Sequence, residues 1–251
     1  SFSVGKIIAS KAAPKLCPVT LELGGKNPNI ILSDADLEIA IPGVIDGMRY
    51  TRQGQACTAG SRVYIHEKIY DKVLDGAVKK LSKLKMGNAL DEKSDIGAII
   101  SEEQLKRTLY YMDIAKKNSS TKILHGGNQS KGGEYKDGFY YEPTLLSGLP
   151  VSSPVCQEEV FGPVACAIPF KSFDEVMKSA NDTQFGLSAV LWTKDLSRAL
   201  QFVDEIEAGF VQVNQCVAPR ANVSYGGIKM SGLGKEYAFD SMMNHFTQSK
   251  T

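Results

Sequence analysis

Runs of β-branched and aromatic residues alternate with amphipathic stretches along this 251-residue chain, and that alternation restricts its fold more than any other feature. "PVTLEL" (18–23) and "NPNIILS" (27–33) read as strands. The segment 34–50 offers Asp34 or Asp36 as a cap, followed by apolar residues at helical spacing. A strand, "SRVYIHE" (61–67), is predicted next, then an amphipathic helix over 68–85 that ends at Gly87. A helix over 101–118 and a strand over 121–127 follow, and the turn-rich segment 128–138 reads as an exposed hairpin or loop. Further on, "FYYEPTLLSGL", "PVACAIPF", "SAVLWT" and "FVQVNQ" read as strands, and "SFDEVMKSAND" and "DLSRALQFVDEIEAG" as helices. Strands separated by helices imply βαβ units, so the expected class is α/β with a largely parallel sheet covered by helices. At the ends, "SVGKIIASKA" reads as the first turns of a helix, and 225–251 as a glycine-rich stretch that becomes helical without a strong apolar face.

Charge excludes some partners. Lysine and arginine number 29 against 28 acidic residues, which gives no electrostatic reason to bind nucleic acid or an anionic membrane. No apolar run approaches the roughly 18 residues that a membrane span requires. The five cysteines, Cys17, Cys57, Cys156, Cys166 and Cys216, are odd in number and widely spaced, with no CxxC pair. That argues against a disulfide framework or a zinc site and fits a reducing compartment such as the cytoplasm. His66, His125 and His245 show no ligand spacing, so no metal is expected, and His66 and His125 read as surface or strand-end residues.

"RQGQACTAGSR" (52–62) surrounds Cys57 with small and polar residues, and Gly54 and Gly60 would let the backbone approach a ligand. That setting suits a reactive thiol, although free cysteines are usually buried packing. Three other stretches share this character. "LELGGKNP" (21–28) carries Glu22 before a glycine pair, "QEEVFGPV" (157–164) sets acids before a Gly-Pro turn, and "GGIKMSGLGKE" (226–236) ends on Glu236.

In this order, the four stretches resemble the aldehyde dehydrogenase superfamily, whose members use NAD or NADP and a catalytic cysteine. The likeness extends over the whole chain. It implies an enzyme that oxidises a small aldehyde to a carboxylic acid through a thiohemiacetal and a thioester on Cys57. Glu22 would be the general base, in preference to an exposed strand-end acid. Glu236 would relay protons with Glu22, or would simply be an acid favoured by a helix dipole. For the cofactor, the resemblance implies Glu159 on the nicotinamide ribose, Phe161 near the ring, and Ser1, Val4 and Leu23 along the rest. Thr58, Arg220 and Tyr225 would meet the substrate, Arg220 pairing with a carboxylate or pointing to solvent. Cys17 and Cys166 are expected in the core.

"SFSVG" (1–5) resembles the end of the family's phosphate-binding turn, so the chain is expected to start inside the cofactor domain. Residues 1–24 and 227–251 would be remnants of that Rossmann-like domain, and 25–226 the catalytic domain. The full-length form is expected to be a homo-oligomer, and the isolated chain to be inactive or to serve as a scaffold. An acylating, CoA-dependent relative is disfavoured, because such enzymes usually lack the glutamate found at Glu22.

Overall fold

In the computed structural model, which describes residues 1–251, α1 (Phe2–Ala12) runs into a short antiparallel strand, β1 (Leu21–Glu22). The central sheet then starts with β2 (Pro28–Ile31), whose four residues are all buried. A strand covered by helices on both faces has to be apolar throughout, and "PNII" nearly is. The other central strands are β3 (Arg62–His66), β4 (Lys122–His125), β5 (Thr144–Ser147), β6 (Val164–Phe170), β8 (Ser188–Trp192) and β9 (Phe210–Val213). Their order is β4-β5-β6-β3-β2-β8-β9, and every pair is parallel except β4 with β5. The class expected from the alternation is the one observed.

Two layers of helix cover this sheet. On one face α2 (Leu37–Met48) and α3 (Tyr70–Leu81) pack against Ile31, Val63, Ile65 and Trp192. On the other, α4 (Glu102–Lys117), α6 (Phe173–Asn181) and α7 (Leu196–Glu205) pack against Ile30, Tyr64, Cys166 and Ile168. Successive strand residues thus feed opposite cores, as the period of two requires. Asp36, Ser101, Ser172 and Asp195 cap α2, α4, α6 and α7 with side chains that accept hydrogen bonds from first-turn N–H groups. A further short helix, α5 (Pro154–Gln157), precedes the turn that carries Glu159. Arg62 is fully buried and donates to the carbonyls of Lys26, Ser179 and Ala180, which ties the start of β2 to α6.

The two chain ends meet beside the sheet. β11 (Gly232–Leu233) pairs antiparallel with β1, and β10 (Ile228–Lys229) with β7 (Phe185–Gly186). Pairing over only two residues explains why the strand expected at 18–23 shrinks to Leu21–Glu22. The helix expected over 68–85 is shorter as well: a 3₁₀ turn occupies Glu67–Ile69, and α3 stops at Leu81, well before Gly87.

Two expectations fail outright. Cys17 is exposed, because Leu16 in the left-handed conformation (φ 54°) turns the chain away from the core. The C-terminal helix α8 (Phe239–Phe246) does have an apolar stripe: Phe239, Met242, Met243 and Phe246 recur at helical spacing, and all four are exposed. Val4, Ile7 and Ile8 of α1 are exposed too.

Candidate active site

A glycine pair brings three motifs together. After β1 the chain passes through Gly24 and Gly25 between the Glu159 carboxylate and the loop of Cys57. A side chain on Gly24 would collide with Glu159, and a Cβ on Gly25 would lie 2.5 Å from the Cys57 carbonyl oxygen. The Gly25 N–H instead donates to Glu159 Oε1 at 3.0 Å.

The loop of Cys57 is built by the end of α2. Arg49, Gln53 and Gly54 all take left-handed conformations and wind the chain into a tight turn. The Tyr50 hydroxyl anchors that turn by donating to the Thr144 carbonyl at 2.8 Å. Asn27 holds the loop from below. Its Nδ2 donates to the carbonyls of Cys57 (2.7 Å) and Ala59 (3.0 Å), and its Oδ1 accepts from Ser188 N at 2.9 Å. The thiol itself is half-buried against Leu187, Phe210 and Tyr225. Its Sγ lies 3.6 Å from the Tyr225 hydroxyl.

Glu22, at the end of β1, is half-buried, and neither of its buried carboxylate oxygens has a hydrogen-bond partner. Burial, and next the negative charge of Glu236, push its pKa up to about 7, while Lys235 pulls the other way. A carboxyl poised there exchanges protons readily at neutral pH. Glu236 reaches this region through its backbone: its N–H donates to the Tyr225 carbonyl at 2.7 Å, and its carbonyl accepts from Tyr225 N at 3.0 Å.

Burial also raises the pKa of Glu159, with the Gly25 N–H and Arg107 acting against it. Two residues of α4 fix the turn that follows. Arg107 donates to the Glu159 carbonyl at 2.6 Å, and Gln104 Nε2 donates to the Phe161 carbonyl at 2.7 Å, with Phe161 left-handed at φ 56°. Leu23 packs against Gly5 of α1, where an added Cβ would strike its side chain.

Most of the residues singled out in the sequence therefore converge, though unequally. Cys57 and Tyr225 are in contact, the Glu22 carboxylate lies close enough for its charge to act on Tyr225, Thr58 follows Cys57 on the same loop, and Glu159 and Phe161 lie on the neighbouring turn. Ser1, just before α1, and Val4 on its first turn are exposed, and Arg220 is exposed on its loop with no ion pair from its guanidinium. Asn27, Gln104 and Arg107 carried no assigned role in the sequence. Only Asn27 left a trace there, as a polar residue opening an apolar strand. No cluster of three or more His, Cys, Asp or Glu side chains is arranged to hold a metal. A cleft of about 730 Å³ lies apart from these residues, lined by Lys85, His125 and Glu142 among others.

The whole chain, residues 1–251, matches the model of the aldehyde dehydrogenase family. It is 39% identical over 254 residues to an aldehyde dehydrogenase of Rhodospirillum rubrum, covering 99% of this chain and 49% of that protein. It is 36% identical to a betaine aldehyde dehydrogenase of Brucella melitensis, covering 100% and 51%. The structure of an aldehyde dehydrogenase from Bacillus cereus in complex with NAD+ matches with a TM-score of 0.92 at 37% identity, covering 98% of this chain and 49% of that one. A betaine aldehyde dehydrogenase from Staphylococcus aureus in complex with NAD+ matches with a TM-score of 0.93 at 35% identity, covering 98% and 48%. The chain thus spans about half the length of the curated relatives it matches.

Proposed function

Because the chain belongs to the aldehyde dehydrogenase family, we propose that it is the catalytic portion of an enzyme that oxidises an aldehyde to a carboxylic acid. The observation that carries this reading is Glu22. A carboxylate whose oxygens are buried without partners is costly to keep for structure alone, and a pKa of about 7 suits a base.

Cys57 is the proposed nucleophile. Its thiolate adds to the aldehyde carbon: the S–C bond forms and the C=O π pair moves onto oxygen. The Cys57 N–H would donate to that oxyanion. When the oxygen lone pair reforms C=O, hydride leaves and a thioester remains on Cys57. Bound NAD would supply the two-electron acceptor for that hydride, with NADP as the alternative. Glu22 then takes a proton from water as its oxygen attacks the thioester, the C–S bond breaks, and the thiolate is regenerated. In this reading Glu236 exchanges protons with Glu22.

The cofactor end fits a sugar diol. Glu159 uses one oxygen on Gly25, and its Oε2 accepts no hydrogen bond within the chain, which leaves an acceptor for ribose hydroxyls. Phe161 would flank the ring, and Ser1, Val4 and Leu23 would line the approach to the phosphates. Thr58 and Tyr225 would contact the aldehyde, and the free guanidinium of Arg220 would be open to a carboxylate on it.

Residues 1–24 and 227–251 are proposed to belong to the cofactor side, and 25–226 to the catalytic side. The stripes on α1 and α8 would then be covered by the portion by which the relatives exceed this chain. A further apolar row on α7, Leu196, Leu200 and Val203, is exposed and offers a face for self-association. No helix is long and apolar enough to cross a membrane.

The 251 residues alone should bind NAD weakly and produce almost no NADH, since they offer the nicotinamide end a grip and the adenosine end none. Calorimetric titration with NAD, beside an absorbance assay with a simple aldehyde, checks this. Micromolar binding with steady NADH production from the isolated chain would contradict it.

A further inference from the structure

Packing explains why an aromatic ring lies beside Cys57, but not why that ring carries a hydroxyl. We infer that Tyr225 is a catalytic residue whose hydroxyl donates a hydrogen bond to the Cys57 thiolate and holds the charged sulfur in place. The inference rests on the reading of Cys57 as nucleophile.

The geometry supports it in three ways. The phenol oxygen is 3.6 Å from Sγ, a hydrogen-bond distance for sulfur, and it has no other hydrogen-bond partner in the structure. The ring cannot easily leave, because Tyr225 is only 6% exposed and sits edge-on to both Phe210 and Tyr237, with centroids 5.4 and 5.7 Å apart. Its backbone is fixed on both sides by the paired hydrogen bonds with Glu236. The remaining neighbours of Cys57 in this cluster, Leu187 and Phe210, are apolar and offer a thiolate nothing.

The charges agree with a donor. Burial first, then the proximity of Cys57, Glu22 and Tyr237, push the Tyr225 phenol well above its usual pKa. It therefore keeps its proton at any pH at which the enzyme would work. A protonated phenol facing a thiolate can only donate.

The test is the rate of iodoacetamide alkylation at pH 7, with peptide mapping, in the native chain, Tyr225→Phe and Tyr237→Phe. Losing a charge-assisted hydrogen bond to the reacting sulfur costs about tenfold, of which about threefold is returned because a sulfur freed of its donor is the stronger nucleophile. Alkylation of Cys57 should therefore slow about threefold in Tyr225→Phe and stay unchanged in Tyr237→Phe. Cys17, exposed and outside the Cys57 cluster, should react at one rate throughout and serves as the reference. Introducing 3-fluorotyrosine at position 225, a stronger donor with the same ring, should accelerate Cys57 above the native rate. Equal Cys57 rates in all these chains would overturn the role of Tyr225 alone. A native Cys57 that resists alkylation would overturn the nucleophile assignment and this inference together.

Discussion

Glu22→Gln should slow the release of an acyl group from Cys57 by about 10²–10⁴-fold, the usual worth of a positioned general base, while its attachment proceeds. Glutamine keeps the shape of the side chain but cannot take a proton from water. The substitution removes no hydrogen bond, since both Glu22 oxygens lack partners, so lost activity would not reflect lost anchoring. Acyl release in the native chain should rise with pH through about 7 and level off above it, as Glu22 ionises. That rise should vanish in Glu22→Gln. Stability should change in the opposite sense. The native pKa is raised above the ordinary carboxylate value, so ionising Glu22 costs the folded state more than the unfolded one. The native chain should therefore lose stability relative to Glu22→Gln as pH climbs from about 4.5 to about 7, and lose no more above that. Parallel denaturant melts across this range check the sign.

Asn27→Ala should have the largest structural effect at the site. It removes three hydrogen bonds at once, to the carbonyls of Cys57 and Ala59 and from the N–H of Ser188. Asn27 is buried, and each buried polar group left unsatisfied costs about 1–3 kcal/mol. Some relaxation and entry of water would relieve part of that, so a net loss of about 2–4 kcal/mol is expected. The Cys57 loop, no longer held from below, should also react more slowly with an acyl donor. Unfolding by urea measures the first effect, and single-turnover acylation the second. Wild-type values in both would mean that Asn27 does not organise this loop.

How much of this was legible in the sequence depended on distance along the chain. The glycines around Glu22 and Cys57 were visible as local composition, and the acidic pair Asp34 and Asp36 marked the start of α2, which Asp36 caps. The α/β class followed from alternation alone. Gln104 and Arg107 were not visible, because their partners lie some fifty residues away and only the packing of α4 on the Glu159 turn joins them. The position of Cys17 was lost for a different reason. An apolar strand follows it, but one left-handed residue before it decides its exposure, and nothing in "PKLCPV" demanded that conformation. The stripe on α8 was legible and still missed. Phe239, Met242, Met243 and Phe246 have clear helical spacing, but the glycine-rich residues before them dilute the pattern when the whole segment is averaged. The contact between Tyr225 and Cys57 joins two loops far apart in the chain and needed the coordinates.

The most direct measurement uses an activated ester, p-nitrophenyl acetate, because it can acylate a thiol with neither hydride transfer nor cofactor. The chain and its Glu22→Gln variant are each incubated with the ester, and the acetyl group is located by peptide mass mapping over time. Acetyl is expected on Cys57 in both proteins, transient in the native chain and accumulating in Glu22→Gln. Acetyl confined to Cys17 and surface lysines, or equal persistence on Cys57 in both proteins, would contradict that expectation.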